Sequence, residues 1–113
     1  PEAVVTPGFA NGFTLSGNNV MVDGFKVLGG IFGFGLSGGT GQTVSNNIVT
    51  GTVSGGLAGF NGTNVNVSFN LFDDVNGDGV FLSNVTGATV NANVIDEADG
   101  DGVDVGTSSN VNV

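Results

Sequence analysis

Val44-Ser45-Asn46-Asn47-Ile48-Val49, Val67-Ser68-Phe69-Asn70-Leu71-Phe72 and Val90-Asn91-Ala92-Asn93-Val94-Ile95 are one hexapeptide pattern written three times, each copy 23 residues after the last. Outward from it, the columns persist: Val44, Val67, Val90 and Val113 form one series, and Thr40, Thr63, Thr86 and Ser109 another. The N-terminal part joins with a shift of 22, which sets Val22, Phe25 and Val27 above Val44, Asn47 and Val49. A further strand series keeps the same beat through Phe13–Leu15, Phe34–Leu36, Leu57–Gly59, Val80–Leu82 and Val103–Val105. Same-residue columns at a fixed spacing are the signature of a solenoid, in which each repeat buries its apolar face against its neighbours.

Five coils of 22 to 23 residues are visible. Within a coil the apolar runs are short and alternating, as in Val65-Asn66-Val67-Ser68-Phe69, and clusters of Gly, Asn, Asp and Ser read as turns between them. No window supports a helix. The expectation is an all-β, right-handed parallel β-helix forming one domain over residues 1–113, because parallel connections of this kind wind right-handed. At about 4.8 Å per coil, five coils make a rod on the order of 24 Å long. An antiparallel sandwich would explain the strand lengths but not the columns.

The three hexapeptides resemble the strand-turn-strand of right-handed parallel β-helix proteins, the pectate-lyase-like superfamily, and the resemblance spans nearly the whole chain. It implies that Asn47, Asn70 and Asn93 point inward at a tight turn and stack as an asparagine ladder, with Phe25 in that place one coil earlier. It specifies fold more than function, since the same architecture serves lyases, adhesins, phage tailspikes and surface fibres.

Composition narrows the functions. The 113 residues include 22 Gly, no Cys and no His, and ten acids face one basic residue, Lys26, for a net charge of −9. That charge excludes the phosphate-neutralising surface nucleic-acid binding requires and disfavours anionic membranes, which leaves a cation as the charged partner. Gly, Asn and Ser interrupt every apolar run, so membrane insertion is not expected. A start at Pro1 without a signal segment fits either a processed exported chain or an excised fragment, and the expected location is extracellular or the cell surface.

The enzymes of the resembling superfamily need groups this chain lacks. Its lyases use an Arg beside calcium, its hydrolases a His and a basic cluster beside paired carboxylates, its epimerases His and Tyr; here there is no Arg, His or Tyr. A carboxylate pair such as Asp73-Asp74 suffices in principle for glycoside hydrolysis, but a solvated turn is the simpler reading. No catalytic residue is assigned, and the chain is expected not to be an enzyme. Three N-glycosylation patterns begin at Asn61, Asn66 and Asn84, at a frequency this Asn- and Thr-rich composition produces by chance. The Thr40–Ser109 column lacks the second flat row an ice-binding surface would need.

Eight of the ten acids lie between Asp73 and Asp104, and the 23-residue shift stacks seven of them together with Asn76: Asp73 over Asp96, Asp74 over Glu97, Asn76 over Asp99, Asp78 over Asp101. Two unit charges about 4.8 Å apart repel by roughly 1 kcal/mol in water and about 3.5 kcal/mol at an effective dielectric of about 20. These eight residues are a candidate Ca²⁺ site, since calcium takes carboxylate, Asn and carbonyl oxygens. The alternative is ordinary turn chemistry that keeps an apolar rod soluble.

Two features point to assembly. Read tail to head, Val111 and Val113 run into Pro1, Val4 and Val5 in the pattern of Val44–Thr50, with Ala3 in the ladder position, and coils counted from Val5 to a following copy's Val5 add to the chain's 113 residues. This is the expectation of head-to-tail self-stacking; a longer β-helix cut after five turns would look similar. Ile48, Leu71 and Val94 stand where alternation places polar outward residues, forming either an apolar stripe with Lys26 at its end or a set tucked in by the turn. The function expected is a structural building block of an extracellular fibre, adhesin stalk or surface layer. A calcium-binding segment of a secreted protein and a non-catalytic fragment of a polysaccharide-active β-helix are the alternatives.

Overall fold

A computed structural model describes residues 3–113. The strands, in chain order, are β1 (Ala3–Val5), β2 (Phe13–Leu15), β3 (Met21–Asp23), β4 (Phe25–Leu28), β5 (Phe32–Ser37), β6 (Thr43–Ser45), β7 (Ile48–Thr50) and β8 (Gly55–Phe60). They continue as β9 (Thr63–Ser68), β10 (Leu71–Val75), β11 (Asp78–Ser83), β12 (Thr86–Asn91), β13 (Val94–Ala98), β14 (Val103–Gly106) and β15 (Ser109–Asn112). Every third strand belongs to the same sheet. The three five-stranded sheets run β1-β4-β7-β10-β13, β2-β5-β8-β11-β14 and β3-β6-β9-β12-β15, and every strand pair is parallel. This is the five-coil solenoid that the columns predict, and among the described residues there is no helix.

The columns are the register. Val22 pairs with Val44, Val44 with Val67 and Val67 with Val90, while Val27 pairs with Val49, Val49 with Phe72 and Phe72 with Ile95. One step departs from the expected coil length: Phe13 pairs with Phe34, a shift of 21, because the step from Val5 to Phe13 is one residue longer than that from Val27 to Phe34; the step from Leu15 to Met21, one shorter than that from Leu36 to Thr43, restores 22. Inward residues of the middle coils are sealed; Val27, Phe34, Val44, Val49, Leu57, Val67, Phe72, Val80 and Leu82 have no exposed surface. Phe13 stacks on Phe34 with ring centroids 5.5 Å apart, so even the first coil is tied in by aromatic contact.

A glycine column makes the cross-section this narrow. Gly12, Gly33, Gly56 and Gly79 lie at one place in successive coils, where sheet β2-β5-β8-β11-β14 meets the inward side chains of β1-β4-β7-β10-β13. A Cβ at Gly33 would sit 2.6 Å from both Val49 methyls, and one at Gly79 would sit 2.6 Å from Ile95 Cγ2 and 2.7 Å from the Gly102 carbonyl. Only a residue without a side chain lets the two sheets approach that closely.

Candidate functional site

The asparagine ladder is present. Asn47 and Asn70 are buried, and Asn93 is half-buried in the last coil. Asn70 Oδ1 accepts from Asn47 N–H at 3.0 Å and from Asn47 Nδ2 at 3.1 Å, and Asn93 Oδ1 accepts from Asn70 N–H at 2.9 Å and Nδ2 at 3.0 Å. Each amide also donates backwards, Asn47 to Val22 O, Asn70 to Val44 O and Asn93 to Val67 O. Phe25 tops the ladder, its N–H donating to Asn47 Oδ1 at 2.9 Å. The side chains thus satisfy backbone groups that the tight turn withdraws from the sheets.

Just outside that ladder runs a largely apolar column. The column runs Val4, Lys26, Ile48, Leu71, Val94 in direct register and faces out: Ile48 and Leu71 are half-buried and Val94 is exposed. Ile48, Leu71 and Val94, with Phe69 and Ala92 from the turn, line an open groove of about 350 Å³. Of the other residues expected at the ends, Val5 and Val111 pack against the core, Val113 is exposed, and Pro1 lies outside the described residues.

The acidic coils stack as the spacing requires. Asp73 pairs with Asp96, and Asp78 Oδ1 accepts from Asp101 N–H at 2.8 Å. Asp74 and Glu97 take left-handed turn conformations, with φ of 52° and 54°. Asn76 and Asp99 occupy the next corner, their N–H groups donating to Thr52 O and Val75 O. The carboxylates are therefore brought into pairs along the rod. Among the described residues, no three acidic, His or Cys groups converge on one point as ligands of an ion.

Two features went unpredicted. Asp23 Oδ1 accepts from Ser45 Oγ at 2.9 Å and Asn46 Nδ2 at 2.7 Å, and these bonds, Asn46's first, hold its carboxyl below the ordinary 3.8. On the outward face of β5, β8 and β11, Phe32, Phe60 and Phe81 wall a trough of about 260 Å³ that Ser54 and Asp78 also line. Phe60 and Phe81 meet edge to face, centroids 5.7 Å apart, over strands whose residues there are Gly55 and Ala58. Sequence spacing scatters these phenylalanines; only the register of Phe32 with Gly55 and of Gly55 with Asp78 assembles the trough.

The fold and ladder together define a class: parallel β-solenoids whose coils are locked at one corner by inward asparagines. The chain belongs to the right handed beta helix region family, which it matches over residues 5–113. No curated protein and no solved structure matches it.

Proposed function

We propose that this chain is a non-catalytic structural module of an extracellular or cell-surface fibre, adhesin stalk or surface layer, and that it extends by stacking coil on coil. The observation that carries the reading is the state of the last coil. Inward residues of the middle coils are fully covered, whereas Ile95, Ala98, Val103 and Val111 are only half-buried, above the free edges of β13, β14 and β15. A further coil of the same geometry would cover those side chains and pair those edges, whether it comes from the same polypeptide or from another copy.

Electron microscopy of the chain over a range of concentrations, with Ca²⁺ and with chelator, tests this. Filaments with an axial repeat of about 24 Å are expected. Dependence of their length on Ca²⁺ would give the Asp73–Asp101 pairs a role in relieving like-charge stacking. Single particles under every condition would sink head-to-tail stacking between copies.

The aromatic trough favours a second reading, a polysaccharide-contacting segment of a larger β-helix, since Phe faces beside a carboxylate suit the apolar face and hydroxyls of a sugar. Titration with neutral oligosaccharides, followed by chemical shifts of Phe60 and Phe81, distinguishes it; no shift at millimolar sugar removes it.

A further inference from the structure

We propose that the flank formed by β4, β7, β10 and β13 is a self-recognition surface, on which a second copy of this chain docks face to face and antiparallel, with Ile48 at the two-fold axis. The proposal concerns the side of the rod and holds whether or not coils continue at its ends.

The surface is apolar where a soluble β-helix would place polar residues. Val4 is 56% exposed, Val94 59%, Phe69 60% and Leu28 36%. Phe69 reaches the surface from a left-handed backbone, φ 57°, a conformation that disfavours bulky side chains. Exposed apolar columns of this kind mark contacts, and a strained exposed aromatic points the same way.

Charge selects the occupant and its direction. Lys26, the only Lys or Arg in a chain of net charge −9, stands in this column two coils before Leu71. Asp73 follows Leu71 by two residues and shares its outward side. An antiparallel two-fold along the strand direction, centred on β7, exchanges the second coil with the fourth. Lys26 then meets the partner's Leu71 and extends along the strand, about 7 Å, to the partner's Asp73. Val4 meets the partner's Val94, Ile48 its own counterpart, and Asp73 never faces Asp73. A two-fold along the rod keeps coils level, so Lys26 would face the partner's Lys26 or Leu28 and stay two coils, about 9.6 Å, from its Asp73.

Area sets the strength. Two outward columns over five strands cover on the order of 300 Å² per copy, below the roughly 800 Å² of a standard stable interface. One module pairs weakly; modules joined end to end would add their contacts.

The chain has no Cys, so single substitutions report this geometry. With a short bismaleimide at high protein concentration, Ile48→Cys should link to itself. A mixture of Val4→Cys and Val94→Cys should link several-fold more than either alone. Adding Lys26→Glu to Ile48→Cys should lower the yield about tenfold, since two ion pairs become repulsive. End-to-end stacking cannot mimic the Ile48→Cys link, because it holds residues 48 of successive copies about 24 Å apart; it would itself set Val94→Cys beside the next copy's Val4→Cys, so that mixture reads the direction of docking only alongside a linked Ile48→Cys. Circular dichroism confirms that each variant is folded. Unlinked Ile48→Cys would overturn the pairing, Val94→Cys linking to itself as well as to Val4→Cys would overturn the antiparallel direction, and an unchanged yield with Lys26→Glu would overturn the charge registration.

Discussion

Phe69 holds a backbone conformation its side chain resists, and its neighbours along the rod show what the position asks for. The corresponding residues are Gly24, Asn46 and Ala92, with φ of 82°, 54° and 55°. Gly and Asn enter the left-handed region at little cost; other residues lose about 1–2 kcal/mol there. Phe69→Asn should therefore raise the stability of the isolated chain by about 1 kcal/mol, read from the denaturant midpoint at unchanged slope. A loss of stability would mean that Phe69 packs more strongly than its exposure indicates. Asp23 gives a second test at this scale. Its folded carboxyl titrates below the unfolded value, so its contribution is present above about pH 4 and is lost as pH falls through the folded value. Asp23→Asn should lower the melting temperature slightly at pH 7, and the difference from the parent should shrink as pH falls through the folded value. A gap that persists at low pH would show that the charge is not what matters. Neither feature is legible in the bare sequence, because Phe69 contradicts local propensity and Asp23 finds Ser45 and Asn46 only once the coils are in register.

Among the elements, the ladder turn is the most consequential, and it was legible, since Asn47, Asn70 and Asn93 recur at one spacing beside apolar residues that must point inward. What spacing does not reveal is how unequal the three are. Asn70 has a ladder partner on both sides and is buried, whereas Asn93 is half-buried at the last coil. Asn70→Ala leaves the buried Asn47 N–H without its partner and should cost about 3 kcal/mol. Asn93→Ala, where water can substitute, should cost about 1 kcal/mol. Equal losses by chemical denaturation would contradict the ladder's graded burial. The glycine column lay in the sequence at the same spacing, yet apolar periodicity takes no notice of a residue without a side chain. Gly56→Ala drives its methyl into the Phe72 ring and the Gly79 carbonyl. Overpacking of this kind costs about 1–3 kcal/mol, and the thermal midpoint should fall accordingly; an unchanged midpoint would show that the two sheets can separate without penalty.

At the level of the whole molecule, architecture was legible because repetition multiplies a weak local signal: one Val-x-x-Asn followed by two apolar residues is ambiguous, but three in register are not. The outward face was not, since whether Ile48, Leu71 and Val94 project or tuck in depends on how the turn at the asparagines rotates the strand. A solenoid of this kind couples each coil only to its neighbours, so its stability is graded along the axis. The middle coils carry the sealed side chains of Val49, Leu57, Val67 and Phe72, while the last coil's Ile95 and Val103 are half-buried and it also carries Asp96, Glu97, Asp99 and Asp101. Amide exchange of the dilute chain should therefore be slowest in β7 through β10 and fastest in β13 through β15. Under conditions that give filaments, protection of β13 through β15 should rise towards that of the middle while β7 changes little, because end stacking adds a neighbour only to the terminal coils. Protection rising at Ile48 and Leu71 without a change in β14 and β15 would instead assign the association to the flank, and uniform protection in the dilute chain would contradict nearest-neighbour coupling itself.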